Sequence, residues 1–225
     1  MRILYFGRNG CDFSAKIERR LKRFSSEVLV VRSTRRFEPI PSFVNCWQGD
    51  LIICFRSHYI LTQKIISSAK FAAINFHPGP PNYRGTGCLN FALFNEEKEY
   101  GVTVHLIAKK VDSGKIIKCI RFPIENTDGV DSLLEKTHEK LFEAFHDFYE
   151  GLVLDLNVWL KENLKLSSNE TWSETKYTAS QLNALQILDW DASEAEFARV
   201  IRATNTKSFP TEIKRYGYSF FLTKK

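Results

Sequence analysis

The sequence lacks the features that mark secreted, membrane-spanning or redox-active proteins. Its five cysteines are an odd number at wide spacing, and no Cys-x-x-Cys pair occurs in the 225 residues. The opening stretch MRILYFGRNG becomes polar too early for a signal peptide, and no apolar run approaches the ~18 residues that cross a membrane. We therefore expect a cytoplasmic protein with free thiols and no membrane partner.

Several familiar phosphate-binding and catalytic motifs are also missing. The loop GRNGCDF lacks the spacing of G-x-G-x-x-G, and the chain contains neither a P-loop nor a G-x-S-x-G nucleophile elbow. The formal net charge of +6 favours an anionic partner, such as a nucleotide or a phosphorylated metabolite. Because lysine and arginine are scattered rather than clustered, no nucleic-acid partner is predicted.

Short apolar segments alternate with amphipathic ones in the first part of the chain. The pattern predicts strands at residues 2–6, 27–32, 50–55 and 71–77, and helices at 13–24 and 58–69. This alternation predicts an α/β fold with a mostly parallel sheet. Ligands of such sheets bind at the carboxyl ends of the strands.

The later part of the chain predicts further strands and a separate C-terminal region. A helix is predicted at 86–95, strands at 101–107 and 115–122, and a long helix at 130–150 that can extend to about 160. These elements complete a catalytic domain at 1–162. A polar linker at 163–178 and a small C-terminal α+β subdomain at 179–225 follow, and the subdomain ends in a β-hairpin that turns near 215–217.

Three polar residues suggest a reaction centre. Asn75 and His77 are two positions apart on a predicted strand, so their side chains point to one face. Asp112 lies in an Asp-Ser-Gly turn, and the three together offer an amide donor, an imidazole and a carboxylate. On spacing alone, a structural role in local turns remains open. His77, His105 and Asp112 are also metal-ligand types, but they match no metal motif; no metal is predicted, and His105 is assigned a structural role.

The same region resembles the folate-dependent formyltransferase family. The family pattern is Asn-x-His-Pro, Tyr-Arg-Gly, Gly-Val-Thr-x-His and Asp-x-Gly-x-Ile, and all four elements occur in order within residues 74–117. The resemblance implies a Rossmann-like sheet, the formyltransferase fold, and N10-formyltetrahydrofolate as co-substrate. It places Asn75, His77 and Asp112 on the family's catalytic positions. DLIICFRSHYIL resembles the segment that lines the folate pocket, which implies that folate contacts Phe55, Arg56, Ser57, His58, Tyr59, Ile60 and Asp112.

HPGPPNYRG and the C-terminal tail are most similar to the branch of the family that formylates nucleotide-linked amino sugars. This implies a dTDP-linked substrate, dTDP-4-amino-4,6-dideoxyglucose being favoured, a role in O-antigen synthesis, and a homodimer. Arginines and neighbouring residues are expected to bind the nucleotide sugar: Arg8, Asn9, Pro78, Gly79, Tyr83, Arg84, Gly85, Arg202 and Asn205.

Other functions remain open at this stage. They are a 3-amino sugar or glycinamide ribonucleotide as acceptor, hydrolysis of the formyl cofactor, and a non-catalytic folate or nucleotide binding module. A methionyl-tRNA enzyme is expected to carry a longer C-terminal barrel, and a hydrolase an additional N-terminal domain.

Overall fold

The structure is a computed structural model that describes residues 1–223. It contains eleven strands: β1 (Ile3–Arg8), β2 (Val28–Ser33), β3 (Gly49–Phe55), β4 (Ala69–His77), β5 (Arg84–Gly85), β6 (Glu99–Leu106), β7 (Ile116–Pro123), β8 (Lys176–Tyr177), β9 (Ile187–Asp189), β10 (Glu212–Arg215) and β11 (Tyr218–Phe221). Its α-helices are α1 (Asp12–Phe24), α2 (Gln63–Ile66), α3 (Cys88–Phe94), α4 (Val130–Leu154), α5 (Leu156–Leu166), α6 (Ala179–Leu185) and α7 (Glu194–Thr204). A 3-10 helix covers Ser42–Cys46.

The main sheet has six strands in the order β2-β1-β3-β4-β6-β7. The first four pair in parallel, and β6 runs antiparallel to β4. Residues 3–6 of β1 and 51–55 of β3 are buried without interruption, which is typical of central strands covered on both faces. The predicted mostly parallel α/β sheet is therefore confirmed.

Helix α1 illustrates how the local sequence builds an element. The Cys11 thiol caps its first turn by accepting a hydrogen bond from the Ser14 N–H, and Asp12 lies where the helix dipole favours negative charge. Ile17 and Leu21, four residues apart, form the buried face. The predicted helix at 13–24 is thus confirmed.

The predicted helix at residues 58–69 is wrong, because only the single turn of α2 forms there. Thr62 caps α2 by accepting from the Ile65 N–H, whereas residues 58–61 have no regular secondary structure. The His58 N–H donates to the Ser33 hydroxyl at 2.9 Å, and the ring of Tyr59 packs against Phe6. These contacts with β1 and β2 replace the intrahelical hydrogen bonds that the local pattern suggested.

The long helix predicted from residue 130 is α4, and the extension toward 160 is a separate helix, α5. The break occurs at Asp155, whose carboxylate accepts from the N–H groups of Asn157 and Val158 and so caps α5. Gly151 lets Trp159 pack closely, because a Cβ there would lie 2.3 Å from the indole. Gly151 therefore makes room for the contact between the two helices.

The contacts of the chain divide it into two units. The first comprises Met1–Pro78, Val102–Ile120 and Lys140–Thr171, and the second comprises Gly79–Gly101, Arg121–Glu139 and Trp172–Lys225. Helix α5 passes through position 162, and β8 lies inside the segment expected to be a linker. The predicted domain boundaries at 162 and 178 stay a prediction, and the last two residues of the predicted subdomain lie outside the described residues.

The C-terminal part of the second unit contains a three-stranded sheet in the order β11-β10-β9. Strands β10 and β11 form the expected hairpin, whose turn places Tyr216 and Gly217 at φ +50° and +80°. Ser193 caps α7, and the Asn90 amide of α3 donates to the Ala203 carbonyl of α7 at 2.7 Å. Within residues 1–223, no helix has both the length and the apolar character that a bilayer span requires.

Candidate functional site

The end of β4 brings polar side chains opposite those of β6. In the antiparallel register, Asn75 lies opposite His105, and His77 lies opposite Thr103. Because paired residues of antiparallel strands project to the same face, and because positions two apart also share a face, these four side chains line one face of the sheet. The fold therefore places an amide and two imidazoles side by side.

Asp112 reaches the same place from the turn between β6 and β7. Its φ of +49° lies in the left-handed region, which aspartate tolerates better than most residues. Gly114 allows the turn to close onto β6, because a Cβ at this position would lie 1.7 Å from the Leu106 carbonyl oxygen. A strained backbone in a buried polar turn is typical of functional sites.

The four side chains form a buried polar group, here called the Asn-His-His-Asp group: Asn75, His77, His105 and Asp112. The Oδ1 atom of Asp112 lies 3.5 Å from His77 Nδ1 and 3.8 Å from His105 Nε2. The Asn75 Nδ2 atom lies 3.0 Å from His105 Nε2. His77, His105 and Asp112 are 4%, 2% and 7% exposed, so water screens these interactions little.

The two imidazoles of the group differ in environment. Burial lowers the pKa of His105, and the neighbouring His77 lowers it further. The hydrogen bond with the Leu106 carbonyl and the charge of Asp112 oppose this shift without cancelling it. His105 is therefore neutral at neutral pH. The group then combines an amide N–H, a carboxylate and an imidazole, which suits carbonyl polarisation and proton transfer.

Sequence reasoning predicted three of these residues as a set and assigned His105 a structural role. The structure brings all four together. The missed signal was the pairing of β4 with β6: an antiparallel neighbour places the last residue of Gly-Val-Thr-Val-His directly opposite Asn75. Alternation within β6 alone could not reveal which strand it faces. The catalytic roles of Asn75, His77 and Asp112 stay a prediction.

Apart from Asp112, the residues expected to contact folate lie at the end of β3 and directly after it. Phe55 ends the strand in the core, where its ring packs against Phe76 at 5.9 Å between centroids, whereas Ile60 is 61% exposed. Arg56 adopts φ +54° and donates to the Cys11 thiol at 3.2 Å. The hydroxyls of Ser57 and Ser33 lie 3.4 Å apart. The loop is thus fixed at its base and exposed at its tip, and its role in binding folate stays a prediction.

Arg8 and Asn9 lie at the carboxyl end of β1. The strands that follow β1 in the chain lie on opposite sides of it, β2 on one side and β3 on the other, and open α/β sheets bind ligands at such a switch point. The pKa of His58, after β3, is lowered by burial and by the positive charge of Arg8 and other arginines. The Asn9 amide is held by the Thr34 hydroxyl at 2.9 Å. This edge of the sheet is therefore cationic, as an anionic ligand would need.

The Tyr-Arg-Gly residues of the second unit form part of a short ladder. Arg84 and Gly85 are β5, which pairs in parallel with Lys176 and Tyr177 of β8. The Arg84 Nη1 atom donates to the Ser173 carbonyl at 2.8 Å. Gly85 has φ +91°, and a Cβ there would lie 2.2 Å from the Tyr177 carbonyl oxygen. The segment expected to be a linker therefore holds the Tyr-Arg-Gly loop.

Tyr83 is also held from two sides. Its ring stacks on Tyr177 at 5.6 Å and 10°, and Tyr177 in turn stacks on Phe91 at 4.0 Å. Its hydroxyl donates to Glu97 and accepts from Asn95, both at 2.9 Å. These contacts fix the position of the loop that carries Arg84. Whether Tyr83 itself meets substrate stays a prediction.

The remaining predicted substrate residues have different surroundings. Pro78 and Gly79 directly follow His77 in the sequence, and Gly79 is buried. Arg202 donates from Nε to the Asp128 carbonyl at 2.8 Å and from Nη2 to the Glu125 carbonyl at 2.9 Å. The Asn205 carbonyl group of the side chain accepts from the Thr211 N–H at 3.0 Å. Arg202 and Asn205 thus connect loops to α7, and their contact with substrate stays a prediction.

No set of three or more His, Cys, Asp and Glu side chains within residues 1–223 is arranged to hold a metal ion.

The sequence profile of the family described as Formyl transferase matches residues 12–147, more than half of the chain. This range contains the whole Asn-His-His-Asp group. The chain belongs to the formyl transferase family. The matched range covers both the predicted folate loop and the Tyr-Arg-Gly loop, but not the first β-strand or the C-terminal hairpin.

Two relatives illustrate the sequence likeness of this chain to known proteins. A methionyl-tRNA formyltransferase of Latilactobacillus sakei is 40% identical over 90 residues, which are 40% of this chain and 28% of that protein. The bifunctional polymyxin resistance protein ArnA of Wigglesworthia glossinidia brevipalpis is 31% identical over 180 residues, 78% of this chain and 25% of that protein. The chain thus spans about a quarter of the length of these relatives.

Solved structures show the same fold over nearly the whole chain. A 4-N formyltransferase from Francisella tularensis is 18% identical with a TM-score of 0.74, and the match covers 100% of this chain and 97% of that one. An N-formyltransferase from Helicobacter canadensis, in complex with folinic acid and dTDP-3-aminofucose, is 16% identical with a TM-score of 0.67, covering 96% and 85%. These likenesses confirm the predicted fold.

Proposed function

We propose that this protein moves a formyl group from N10-formyltetrahydrofolate to the amine of a nucleotide-linked amino sugar. The observation that carries the proposal is the Asn-His-His-Asp group, in which an amide, two imidazoles and a carboxylate lie within hydrogen-bonding or ion-pairing reach of one another. The favoured acceptor is dTDP-4-amino-4,6-dideoxyglucose, and the favoured process is O-antigen synthesis in the cytoplasm.

The loop of residues 55–60 and Asn75 are suited to bind the formyl donor and to stabilise its reacting formyl group. The co-substrate supplies an activated formyl group, and the loop of residues 55–60 would hold its folate part beside β4. The Asn75 amide offers a fixed N–H to the formyl oxygen, on which negative charge develops as the amine attacks. One donor of this kind accelerates a reaction by about 100- to 1,000-fold.

The attacking amine loses a proton, which the Asn-His-His-Asp group can accept. His77 accepts it directly or stabilises the oxygen, while Asp112, 3.5 Å from His77 Nδ1, orients the imidazole and stabilises its charged form. The proton then passes to the folate nitrogen as the bond between that nitrogen and the formyl carbon breaks. Both residues are buried, so bulk water does not compete for the proton.

A sugar nucleotide as acceptor is supported by charge and by the fold. The carboxyl edge of β1 and β3 carries Arg8 and Arg56, and the second unit presents Arg84 on a loop held by Ser173. A diphosphate requires such cations. The structural relatives with a similar extent are N-formyltransferases, one of them in complex with a dTDP-amino sugar.

A homodimer is part of the proposal, and the C-terminal hairpin supports it. Tyr216, Tyr218, Phe220 and Phe221 of this hairpin are 84%, 71%, 51% and 59% exposed. Adjacent exposed aromatic side chains are typical of interaction surfaces. Sedimentation velocity at micromolar concentration tests the dimer, and a monomer under these conditions contradicts it.

A panel of acceptors tests the activity. The protein is incubated with N10-formyltetrahydrofolate and, separately, dTDP-4-amino-4,6-dideoxyglucose, a dTDP-3-amino sugar, glycinamide ribonucleotide or methionyl-tRNA, and the formylated product is measured by mass spectrometry. Transfer to the 4-amino sugar supports the proposal. Transfer to a different acceptor would identify that acceptor as the substrate in place of the 4-amino sugar. Formate release without an acceptor indicates a hydrolase, and folate binding without turnover indicates a binding module.

A further inference from the structure

Each ring nitrogen of His105 has a hydrogen-bonding partner. Its Nδ1 atom lies 2.8 Å from the carbonyl oxygen of Leu106, and its Nε2 atom lies 3.0 Å from Nδ2 of Asn75. The ring is 2% exposed, so the protein rather than solvent decides which nitrogen carries the proton. Sequence reasoning left this histidine out of the reaction centre.

The Leu106 carbonyl determines the tautomer of the ring. A carbonyl oxygen can only accept, so Nδ1 must carry the proton that it donates. Because His105 is neutral, Nε2 then has no proton and acts as an acceptor. The atom of Asn75 that faces Nε2 must therefore be the amide nitrogen, which donates one of its two N–H groups.

This arrangement fixes the amide of Asn75 in one of its two orientations. If the amide turned over, its oxygen would face the lone pair of Nε2 and both atoms would be acceptors. The orientation seen leaves the second N–H of the amide for the formyl oxygen, whereas the reversed amide would repel it. A donor held in place before the reaction is more effective than one that must reorient.

The Leu106 carbonyl is itself held in place. The Leu106 N–H donates to the Lys115 carbonyl at 2.9 Å, and the backbone of Gly114 approaches so closely that a Cβ would lie 1.7 Å from the Leu106 oxygen. Gly114 and Asp112 belong to the same turn. One turn therefore supplies the carboxylate and also packs against the carbonyl that determines the His105 tautomer.

We propose that His105 is a positioning residue, which holds the Asn75 amide with its nitrogen, and not its oxygen, directed to the reacting formyl group. The expected kinetic effects rest on the proposed function. The His105 tautomer and its hydrogen bond with the Asn75 amide do not depend on that function. His105 acts through Asn75 and does not touch the reacting atoms.

Two substitutions separate the two hydrogen bonds of the ring. In His105→Gln, the side-chain oxygen takes the place of Nε2 and still accepts from Asn75. In His105→Asn, the shorter amide reaches the position of Nδ1 and donates to the Leu106 carbonyl, but offers Asn75 no acceptor. The expected kcat of His105→Gln is within about tenfold of wild type, and that of His105→Asn is lower by roughly 100-fold. The KM values for both substrates are expected to change little.

Further measurements distinguish positioning from a loss of folding. Thermal unfolding of both His105 variants measures their stability. In addition, the kcat values of Asn75→Ala, His105→Asn and the double variant are compared in a double-mutant cycle. If His105 acts through Asn75, the double variant is no slower than Asn75→Ala. Equal kcat values for the two His105 variants, or additive losses in the cycle, overturn the proposal.

A spectroscopic test needs no activity at all. Nitrogen chemical shifts of the imidazoles, measured by NMR on protein with labelled histidine, are expected to show His105 as the neutral ring with its proton on Nδ1. A proton on Nε2 contradicts the inference even if formyl transfer is observed. A wild-type protein that has the expected tautomer but transfers no formyl group contradicts the proposed function instead.

Discussion

His77 and Asp112 face each other with Nδ1 and Oδ1 3.5 Å apart, and each side chain has less than a tenth of its surface exposed. A second histidine–carboxylate pair, His146 and Glu150 on α4, has a similar separation of 3.3 Å but lies on the surface, with side chains 47% and 64% exposed. The two pairs share their chemistry and differ in burial.

This contrast provides a matched test of the catalytic carboxylate. Asp112→Asn removes the charge that stabilises a protonated His77 and is expected to lower kcat by at least about 100-fold, because proton transfer by a positioned group contributes this much. Glu150→Gln is expected to leave kcat unchanged. Steady-state kinetics at saturating concentrations of both substrates give the comparison, and an Asp112→Asn enzyme of normal kcat contradicts the assignment.

Arg84→Ala is expected to raise the KM for the nucleotide sugar by about tenfold or more, because a charge-assisted hydrogen bond to a phosphate is worth about 1.5–3 kcal/mol. Folate affinity, measured by fluorescence titration with a folate analogue, is expected to change little. Arg84→Lys keeps the charge but loses the planar guanidinium, which also donates to the Ser173 carbonyl. Its KM for the nucleotide sugar is expected to lie between those of the wild type and Arg84→Ala. An unaltered KM in Arg84→Ala removes this residue from the substrate site.

Gly85→Ala is expected to destabilise the protein, because the new methyl group would meet the Tyr177 carbonyl at 2.2 Å and φ is +91°. The expected loss in free energy of unfolding is about 2–4 kcal/mol. Gly10→Ala is the control: its φ is +67°, but nothing lies within 4 Å of the added Cβ, so only about 1–2 kcal/mol of backbone strain is expected. Urea unfolding of both variants measures the difference, and equal losses would show that β8 does not constrain β5.

Asp128 contributes stability that depends on pH. Burial raises its pKa, but hydrogen bonds from Lys136, the Glu125 N–H and Ser132 outweigh burial and lower the pKa overall. The folded protein therefore prefers the carboxylate, which stabilises it at neutral pH. This stabilisation is lost as pH falls below about 4, the ordinary value for aspartate, and through the lowered pKa of the folded state.

Asp128→Asn should accordingly be less stable than wild type at pH 7, and the gap should close as pH decreases below about 4. Free energies of unfolding from urea titrations at several pH values give the two curves. Lys136→Met tests the partner, whose ammonium lies 2.8 Å from the carboxylate. A gap that is independent of pH would mean that the substitution acts through packing and not through the charge.

Elements governed by local patterns could be predicted from sequence. The spacing of Ile17 and Leu21 predicts α1, and the apolar run at residues 51–55 predicts a buried strand, because each pattern matches the period of a single element. Asn75 and His77 share a face for the same reason. None of these predictions required knowledge of a distant segment.

Features that depend on distant contacts could not be predicted this way. The extended segment that begins at His58 depends on the Ser33 hydroxyl, 25 positions away, and β8 forms only because β5 lies beside it. The contact of His105 with the Asn75 amide could not be predicted either, because it follows from strand order rather than from local sequence. Family resemblance identified the motif, but not which of its residues meet.

The ladder between β5 and β8 has a consequence for how such chains can be recombined. The Ser173 N–H donates to the Pro81 carbonyl, the Ser173 carbonyl accepts from the Arg84 guanidinium, and the Tyr177 carbonyl accepts from the Thr86 N–H. These hydrogen bonds hold the Tyr-Arg-Gly loop in place. A chimaera that takes the Tyr-Arg-Gly loop from one relative and the segment at residues 172–177 from another would mix two halves of one ladder. Changes in acceptor preference by exchange of segments should therefore succeed only when both pieces come from the same parent.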